Sequence, residues 1–227
     1  MKTVPMAVTY VDHMGSDLSV ANAARVSFDK VSKMETHLDT FSGEFKQVLS
    51  PADAKLIGYL AKHNHWSPFA HTSISLRIKA PLFVARQLGK HQVGLAWNEV
   101  SRRYVATEPE MFYPDAWRCA AENVKQGSSS YPFQANTQQI YDHLDAALSL
   151  YQGLVEDGCC PEQARMVLPQ AMMTEWIWTG SLYAFARVCI LRLDSHTQKE
   201  TRDVAQLISD AVEYRFPVSW AALVKHD

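Results

Sequence analysis

Residues 71–88 read HTSISLRIKAPLFVARQL, and two structural periods meet inside them. Ile74, Leu76 and Ile78 alternate with Ser73, Ser75 and Arg77, the two-residue repeat of a strand with one buried face. Pro81 ends the alternation. It suits the first turn of a helix, where its missing N–H has no intrahelical partner to lose, and PLFVARQLGKH continues as that helix. The next segment is KHQVGLAWNEVSRRY, residues 90–104. It crowds a lysine, a histidine, an Asn beside a Glu, a serine and two arginines directly behind an apolar run, which marks it as functional.

Moving outward, Val4–Val11 is β-branched and reads as a first strand, and MGSDLSVANAARVSF reads as a helix capped by Ser16 or Asp17. Residues 30–49 are polar and irregular and read as a mobile loop. Ser50-Pro51-Ala52-Asp53 is a helix start, and that helix runs to about His63 with Leu56, Leu60 and Ala61 inward. QGSSSYPF, residues 126–133, reads as a loop. The longest helix spans about 136–157, with Ile140, Leu144, Leu148, Tyr151 and Val155 at helical spacing and Gly158 as its stop. A helical turn in PEQARMVLP, a strand in MMTEWIWTG and two further helices, SLYAFARVCILRL and HTQKETRDVAQLISDAVEYRF, complete the chain. Strands and helices mix without regular βαβ alternation. The expected class is α+β, a mixed or antiparallel sheet flanked by helices with one long helical segment, in a single domain over residues 1–227.

The bulk numbers exclude several functions. The chain has 227 residues, 47% hydrophobic, with 22 basic against 24 acidic side chains and a net charge of −2. That balance gives no bulk attraction to nucleic acid or membrane, and no apolar run approaches the roughly 20 residues that span a bilayer. The N-terminus is too polar for a signal peptide. Cys119, Cys159, Cys160 and Cys189 form no CxxC pair and read as reduced thiols of a cytoplasmic protein.

Three segments carry candidate chemistry: residues 90–104; KHNHWSPFAH at 62–71; and Arg165 in ARMVLP together with Arg192, Asp194 and His196 in LRLDSH. His63, His65 and His71 do not make a metal site. Pro68 breaks helical pairing, and no Cys or acidic ligand lies nearby. Interleaved imidazole and aromatic groups suit stacking on a flat ring better. Arg86, Arg102, Arg103, Arg165, Arg187 and Arg192 all sit beside apolar residues. A planar guanidinium matches a phosphate or a pyrimidine carbonyl, although ion pairing competes for the same residues. Ser101 has no GxSxG elbow and no adjacent base, so it reads as a hydrogen-bonding serine. Glu99 and Asn98 read equally as helix caps.

NEVSRRY resembles the NExSxRY part of the signature of flavin-dependent thymidylate synthases. MGSDLSVANAARVSF resembles the family's first helix, and HWSPFAH its H-x-[ST]-PF-x-H segment. KAPLFVARQ, ARMVLP, WTGSL and LRLDSHTQKE follow in the family order. The likeness covers nearly the whole chain except residues 30–49 and 116–134. Two departures stand out. Lys90-His91-Gln92 replaces the family's RHR, and eight residues rather than seven precede Ser101, as if one were inserted in VGLAW. In the family that stretch touches the flavin phosphates and ring. Ser181 and Tyr183 stand where many members carry Asn and Arg to hold the flavin, a loss Arg187 can offset in part.

The resemblance implies methylation of dUMP to dTMP. Methylenetetrahydrofolate would supply the carbon, FAD the hydride and NADPH the reducing equivalents. It implies catalytic roles for Arg192 and for Ser101, the latter orienting the nucleotide rather than attacking it. Gln87, Arg86, Arg103, Tyr104 and Arg165 join them as dUMP-binding residues. His65, Ser67, Lys90, His91, Gln92, Asn98, Glu99, Arg187 and His196 map to the flavin side, with no metal. A homotetramer with active sites shared across subunits is implied, and exposed aromatics of EWIWTG would fit it. The NEVSRRY variant and compact length resemble a virus-encoded member acting in the host cytoplasm. Two alternatives stay open: a flavin-edge variant that forms hydroxymethyl-dUMP, and a non-catalytic nucleotide-binding module.

Overall fold

The computed structural model describes residues 2–41, 43–105, 107–122, 127–134 and 136–224. In chain order the first half holds β1 (Ala7–Met14), α1 (Asp17–Arg25), β2 (Glu35–Leu38), β3 (Phe45–Val48), α2 (Pro51–Lys62), α3 (Ser67–Ala70), β4 (Ser73–Pro81), α4 (Leu82–Leu88) and β5 (Leu95–Glu99). The second half holds β6 (Arg118–Ala120), β7 (Ser128–Pro132), α5 (Gln138–Glu156), α6 (Pro161–Ala164), β8 (Met173–Ser181), α7 (Leu182–Arg192), α8 (Lys199–Glu213) and α9 (Pro217–Val224).

One four-stranded sheet, ordered β1-β4-β8-β5 and antiparallel throughout, carries the architecture. The alternation in β4 has the expected consequence: Ile74, Leu76 and Ile78 are buried against the helices. Paired β8 does the same with Trp176 and Trp178, opposite Ile78 and Leu76. The other face is polar. Ser75 and Thr179 share a hydrogen bond at 2.8 Å, and Arg77 grips Glu175 through two bonds of 2.8 and 2.9 Å. Helices α1, α2, α4, α7, α8 and α9 share the main core with the sheet. A smaller cluster of Met111, Leu148, Tyr151, Ala164 and Met172 lies under α5 and α6.

The two strand-to-helix hand-offs, β4 to α4 and β8 to α7, use one device. Pro81 and Ser181 are N-caps with extended backbone, and the Ser181 hydroxyl accepts the Ala184 N–H at 3.2 Å. Ser50 caps α2 as expected, accepting the Asp53 N–H at 3.1 Å. In that helix Leu60 and Ala61 are buried, but Ile57 takes the deepest place and Leu56 is half-buried. Ser16, not Asp17, caps α1. The Asp17 carboxylate instead accepts the backbone N–H groups of Val218 and Ser219, at 3.0 and 2.8 Å, and so caps α9, a helix the sequence reading did not separate.

Four expectations need correction. The first strand runs Ala7–Met14 rather than Val4–Val11, because pairing with β4 fixes its register through a bulge between Tyr10 and Asp12. The loop expected at 30–49 contains the antiparallel hairpin β2–β3, closed by an Asp39 N–H to Glu44 carbonyl bond and by Gly43 at φ 72°. Within 126–133, Ser128–Pro132 is a strand paired with β6, and residue 126 lies outside the described residues. Both hairpins are largely solvent-facing, so backbone pairing rather than an apolar stripe defines them, and periodicity could not find them. The aromatics of EWIWTG are not exposed: Trp176 and Trp178 are buried, Trp97 stacks on Trp176 at 4.2 Å between ring centroids, and Ile177 is the exposed apolar member.

Candidate active site

The short helix α4 divides the candidate site. Val84, Ala85 and Leu88 face the core, leaving Arg86 and Gln87 to project outward. Successive helical residues point about 100° apart, so the two line different cavities. Gln87 faces a cavity of about 720 Å³ with Arg118, Ser128, Arg192, His196 and Gln198. Arg86 faces one of about 540 Å³ with Lys90, His91, Gln92, Trp97 and Glu99. It also reaches a third, of about 440 Å³, that holds Arg102 and Arg165.

Arg192 is the last residue of α7 and stands half-buried at the seam. Its Nε donates to His91 Nε2 at 3.0 Å, and Nη2 donates to the Gln87 carbonyl at 3.2 Å. That carbonyl belongs to the last turn of α4, which lacks intrahelical partners. One guanidinium therefore ties α7, the end of α4 and the signature segment together, with N–H groups left over. Burial pulls the Arg192 pKa down, but a guanidinium stays charged at any physiological pH. Accepting from Arg192 assigns the His91 proton to Nδ1. Burial first, then the charges of Arg192 and Arg187, push the His91 pKa below its ordinary value, so the imidazole is held neutral.

Glu99 sits on the border of the second and third cavities. Its Oε1 accepts from the Thr174 hydroxyl at 2.6 Å and its Oε2 from Trp97 Nε1 at 3.1 Å. Arg86 and Lys90 join no ion pair among the described residues. Two uncompensated cations beside Trp97 fit the pyrophosphate and flat ring of a flavin dinucleotide, and Gln92 adds an amide. His65, Arg187, Trp66 and Tyr183 line a small cavity of about 100 Å³ on another side of α7. The His65 ring lies 6.1 Å from Tyr59. Ser67 opens α3 and is exposed. His196 binds Asp194 at 2.9 Å, and its backbone and ring hydrogen bonds hold that carboxyl below the usual range.

Within one chain the structure gathers Gln87, His91, Arg192 and His196, and beside them Arg86, Lys90, Gln92, Glu99 and Arg165. It does not bring Ser101, Arg103 and Tyr104 to Arg192. They form an outward turn after β5, where Arg103 donates to the Ser101 hydroxyl at 3.4 Å and lies over the exposed Tyr104 ring at 5.0 Å. Asn98 lies on the far face of the sheet, opposite Ile177. Arg165 donates to the Glu162 carbonyl at 3.3 Å. Sequence reasoning missed Arg118, Ser128, Gln198 and Trp97 as lining residues. The spacing of Trp97 from Leu95 carried a strand signal. Arg118 carried none, because its partner Glu200 is 82 residues away.

The profile of the family described as thymidylate synthase complementing protein matches residues 9–218. A flavin-dependent thymidylate synthase of Thermus thermophilus is 34% identical over 220 residues, covering 96% of this chain and 76% of that protein. Its counterpart from Thermosipho africanus is 32% identical, covering 95% and 89%. Among solved structures, the UMP/dUMP methylase PolB from Streptomyces cacaoi, bound with 5-Br dUMP, superposes with a TM-score of 0.80 at 28% identity, covering 99% of this chain and 97% of that one. A matching profile over almost the whole length, relatives above 30% identity and a shared fold converge: this chain belongs to the thymidylate synthase complementing protein family, whose similar members are flavin-dependent thymidylate synthases.

Proposed function

We propose that this protein is a flavin-dependent thymidylate synthase that methylates dUMP to dTMP as a single domain over residues 1–227. The observation that carries this reading is Arg192, fixed by His91 and the Gln87 carbonyl at the mouth of a polar cavity with donors to spare. Pyrimidine carbon 5 is a weak nucleophile. A preorganised guanidinium on the ring carbonyls stabilises the anionic, enolate-like form of the ring in which that carbon becomes nucleophilic, and it does so without reorganising. The Gln87 amide would orient the same ring.

Arg86, Lys90, His91, Gln92 and Glu99 would hold the flavin, with the cations meeting its phosphates. When bound there, reduced flavin would supply the hydride needed to turn the transferred methylene into a methyl group. Methylenetetrahydrofolate would donate the carbon and NADPH the reducing equivalents. Ser101, Arg103, Tyr104 and Arg165 serve the nucleotide phosphate in this reading, and their distance from Arg192 within one chain implies that a second subunit supplies them. A homotetramer is the expected assembly. Exposed Val26, Phe28, Phe41, Phe45 and Ile177 support burial against further copies.

Two experiments test the reading. Expressed in a thymidine-requiring host, the gene restores growth, and the purified protein is yellow. A colourless protein to which added FAD does not bind would count against it. The KHQ variant favours one second reading, in which water rather than hydride completes the transfer and the product is hydroxymethyl-dUMP. Mass spectrometry separates the products by one oxygen atom.

A further inference from the structure

The hairpin β6–β7 lies in 116–134, outside the motifs that resemble the family, yet it forms part of the Arg192 cavity through Ser128 and Arg118. Arg118 also lines a second cavity, of about 770 Å³, walled by Pro5, Phe112, Tyr113 and Asp203, so it stands in the partition between the two. Its Nε donates to the Ser128 hydroxyl at 2.7 Å and its Nη2 to Glu200 Oε1 at 2.7 Å. Glu200, only 6% exposed, lies in the first turn of α8, and its other oxygen accepts from Gln198 Nε2 at 3.0 Å. Gln198 Oε1 in turn accepts from Gln87 Nε2 at 2.5 Å. With the Gln87 carbonyl on Arg192 and Arg192 on His91, the bonds run unbroken from the hairpin to the signature segment.

A tie that only anchored the hairpin would end at Glu200. This one continues to the amide that faces the cavity. Burial pushes the Glu200 pKa up, but the bonds from Arg118, its own backbone N–H and Gln198 outweigh that and hold it ionised. Removing Arg118 leaves that buried carboxylate uncompensated. Gln198 is then drawn toward Glu200, and Gln87 loses its fixed orientation, because linked hydrogen bonds shift together.

We propose that Arg118 is a positioning residue for the nucleotide: anchored to Ser128 and Glu200, it holds the β6–β7 hairpin as a wall of the Arg192 cavity and, through Gln198, sets the side chain of Gln87. This rests on the nucleotide reading of that cavity. Full-length protein carrying its flavin is titrated with dUMP and assayed for KM and kcat as wild type, Arg118→Met, Arg118→Lys, Ser128→Ala, Gln87→Ala and the Arg118→Met/Gln87→Ala double variant. Arg118→Met raises Kd and KM about tenfold, the loss of one charged hydrogen bond, with kcat within about threefold. Arg118→Lys restores only part, since an ammonium cannot repeat the fork, and Ser128→Ala weakens binding by about twofold to threefold. In the Gln87→Ala background the Arg118→Met penalty falls to the roughly twofold to threefold effect of Ser128→Ala, the part the hairpin wall carries.

A purely structural Arg118 gives a lower melting temperature with wild-type KM, or a penalty unchanged without Gln87, and either result overturns the proposal. If Arg118→Met does not fold, unchanged dUMP affinity in both Arg118→Lys and Ser128→Ala overturns it. Wild type that binds dUMP beside unaffected variants removes this inference alone. Wild type that binds no dUMP removes the nucleotide reading with it.

Discussion

Arg192 owes its two hydrogen-bond partners to where its helix stops. A guanidinium placed one turn earlier on α7 would lie within the apolar run VCIL. At the terminus it meets an imidazole and a free helix-end carbonyl together. Replacing Arg192 with Ala should reduce dTMP formation by at least about a hundredfold, the usual effect of removing a preorganised donor, while thermal unfolding stays close to wild type. Near-normal turnover in that variant would contradict a role in charge stabilisation. His91 adds a pH dependence. Its pKa is lowered in the folded state from an ordinary 6.5, so the unfolded chain binds the proton more readily. Stability therefore declines as pH falls below 6.5. Protonated His91 also loses the lone pair that accepts from Arg192. Affinity for dUMP should be flat above neutrality and weaken as pH falls through the lowered value, and replacing His91 with Gln should flatten that limb in a calorimetric titration series.

At the scale of elements, the edge strand β5 brings the signature to the site, and glycines let it approach. Gly94 turns the chain at φ 75° in a Gln92–Leu95 turn whose Val93 is exposed, a place where extra length leaves β5 undisturbed. Gly180 of β8 lies beneath it. A Cβ there would stand 2.4 Å from Leu95 Cδ2 and 2.7 Å from the Gly94 carbonyl oxygen. Gly180→Ala should cost about 1–3 kcal/mol, as overpacking does, and should lower flavin affinity by displacing Trp97 and Glu99. Chemical denaturation and flavin absorbance measure the two. Asp17 acts at the same scale, joining the starts of α1 and α9. Asp17→Ala frees two backbone N–H groups and should destabilise by about 1 kcal/mol or more, with dUMP affinity unchanged.

For the whole molecule, the proposed shared site predicts an oligomer. Within one chain Arg192 and the Ser101–Tyr104 turn stay apart, and apolar side chains from Val26 to Phe45 face solvent. Light scattering should find particles of four chains of 25.6 kDa. A monomer that turns over dUMP at full rate would rule out a site shared between subunits. Among the described residues no helix is long and apolar enough to cross a membrane.

The sequence by itself determined whatever depends on near neighbours along the chain. The β4 alternation, the Ser50 cap and the long α5 helix with its Gly158 stop all follow from residues within a few positions of one another. The exposed hairpins, the capping of α9 by Asp17 and the tie of Arg118 to Glu200 were decided only by tertiary structure. Each joins backbone or charge across a distance that periodicity does not span: 201 residues from Asp17 to Val218 and 82 from Arg118 to Glu200. A local pattern fixes which face of an element is apolar. Which charged group meets which is settled only when those faces pack.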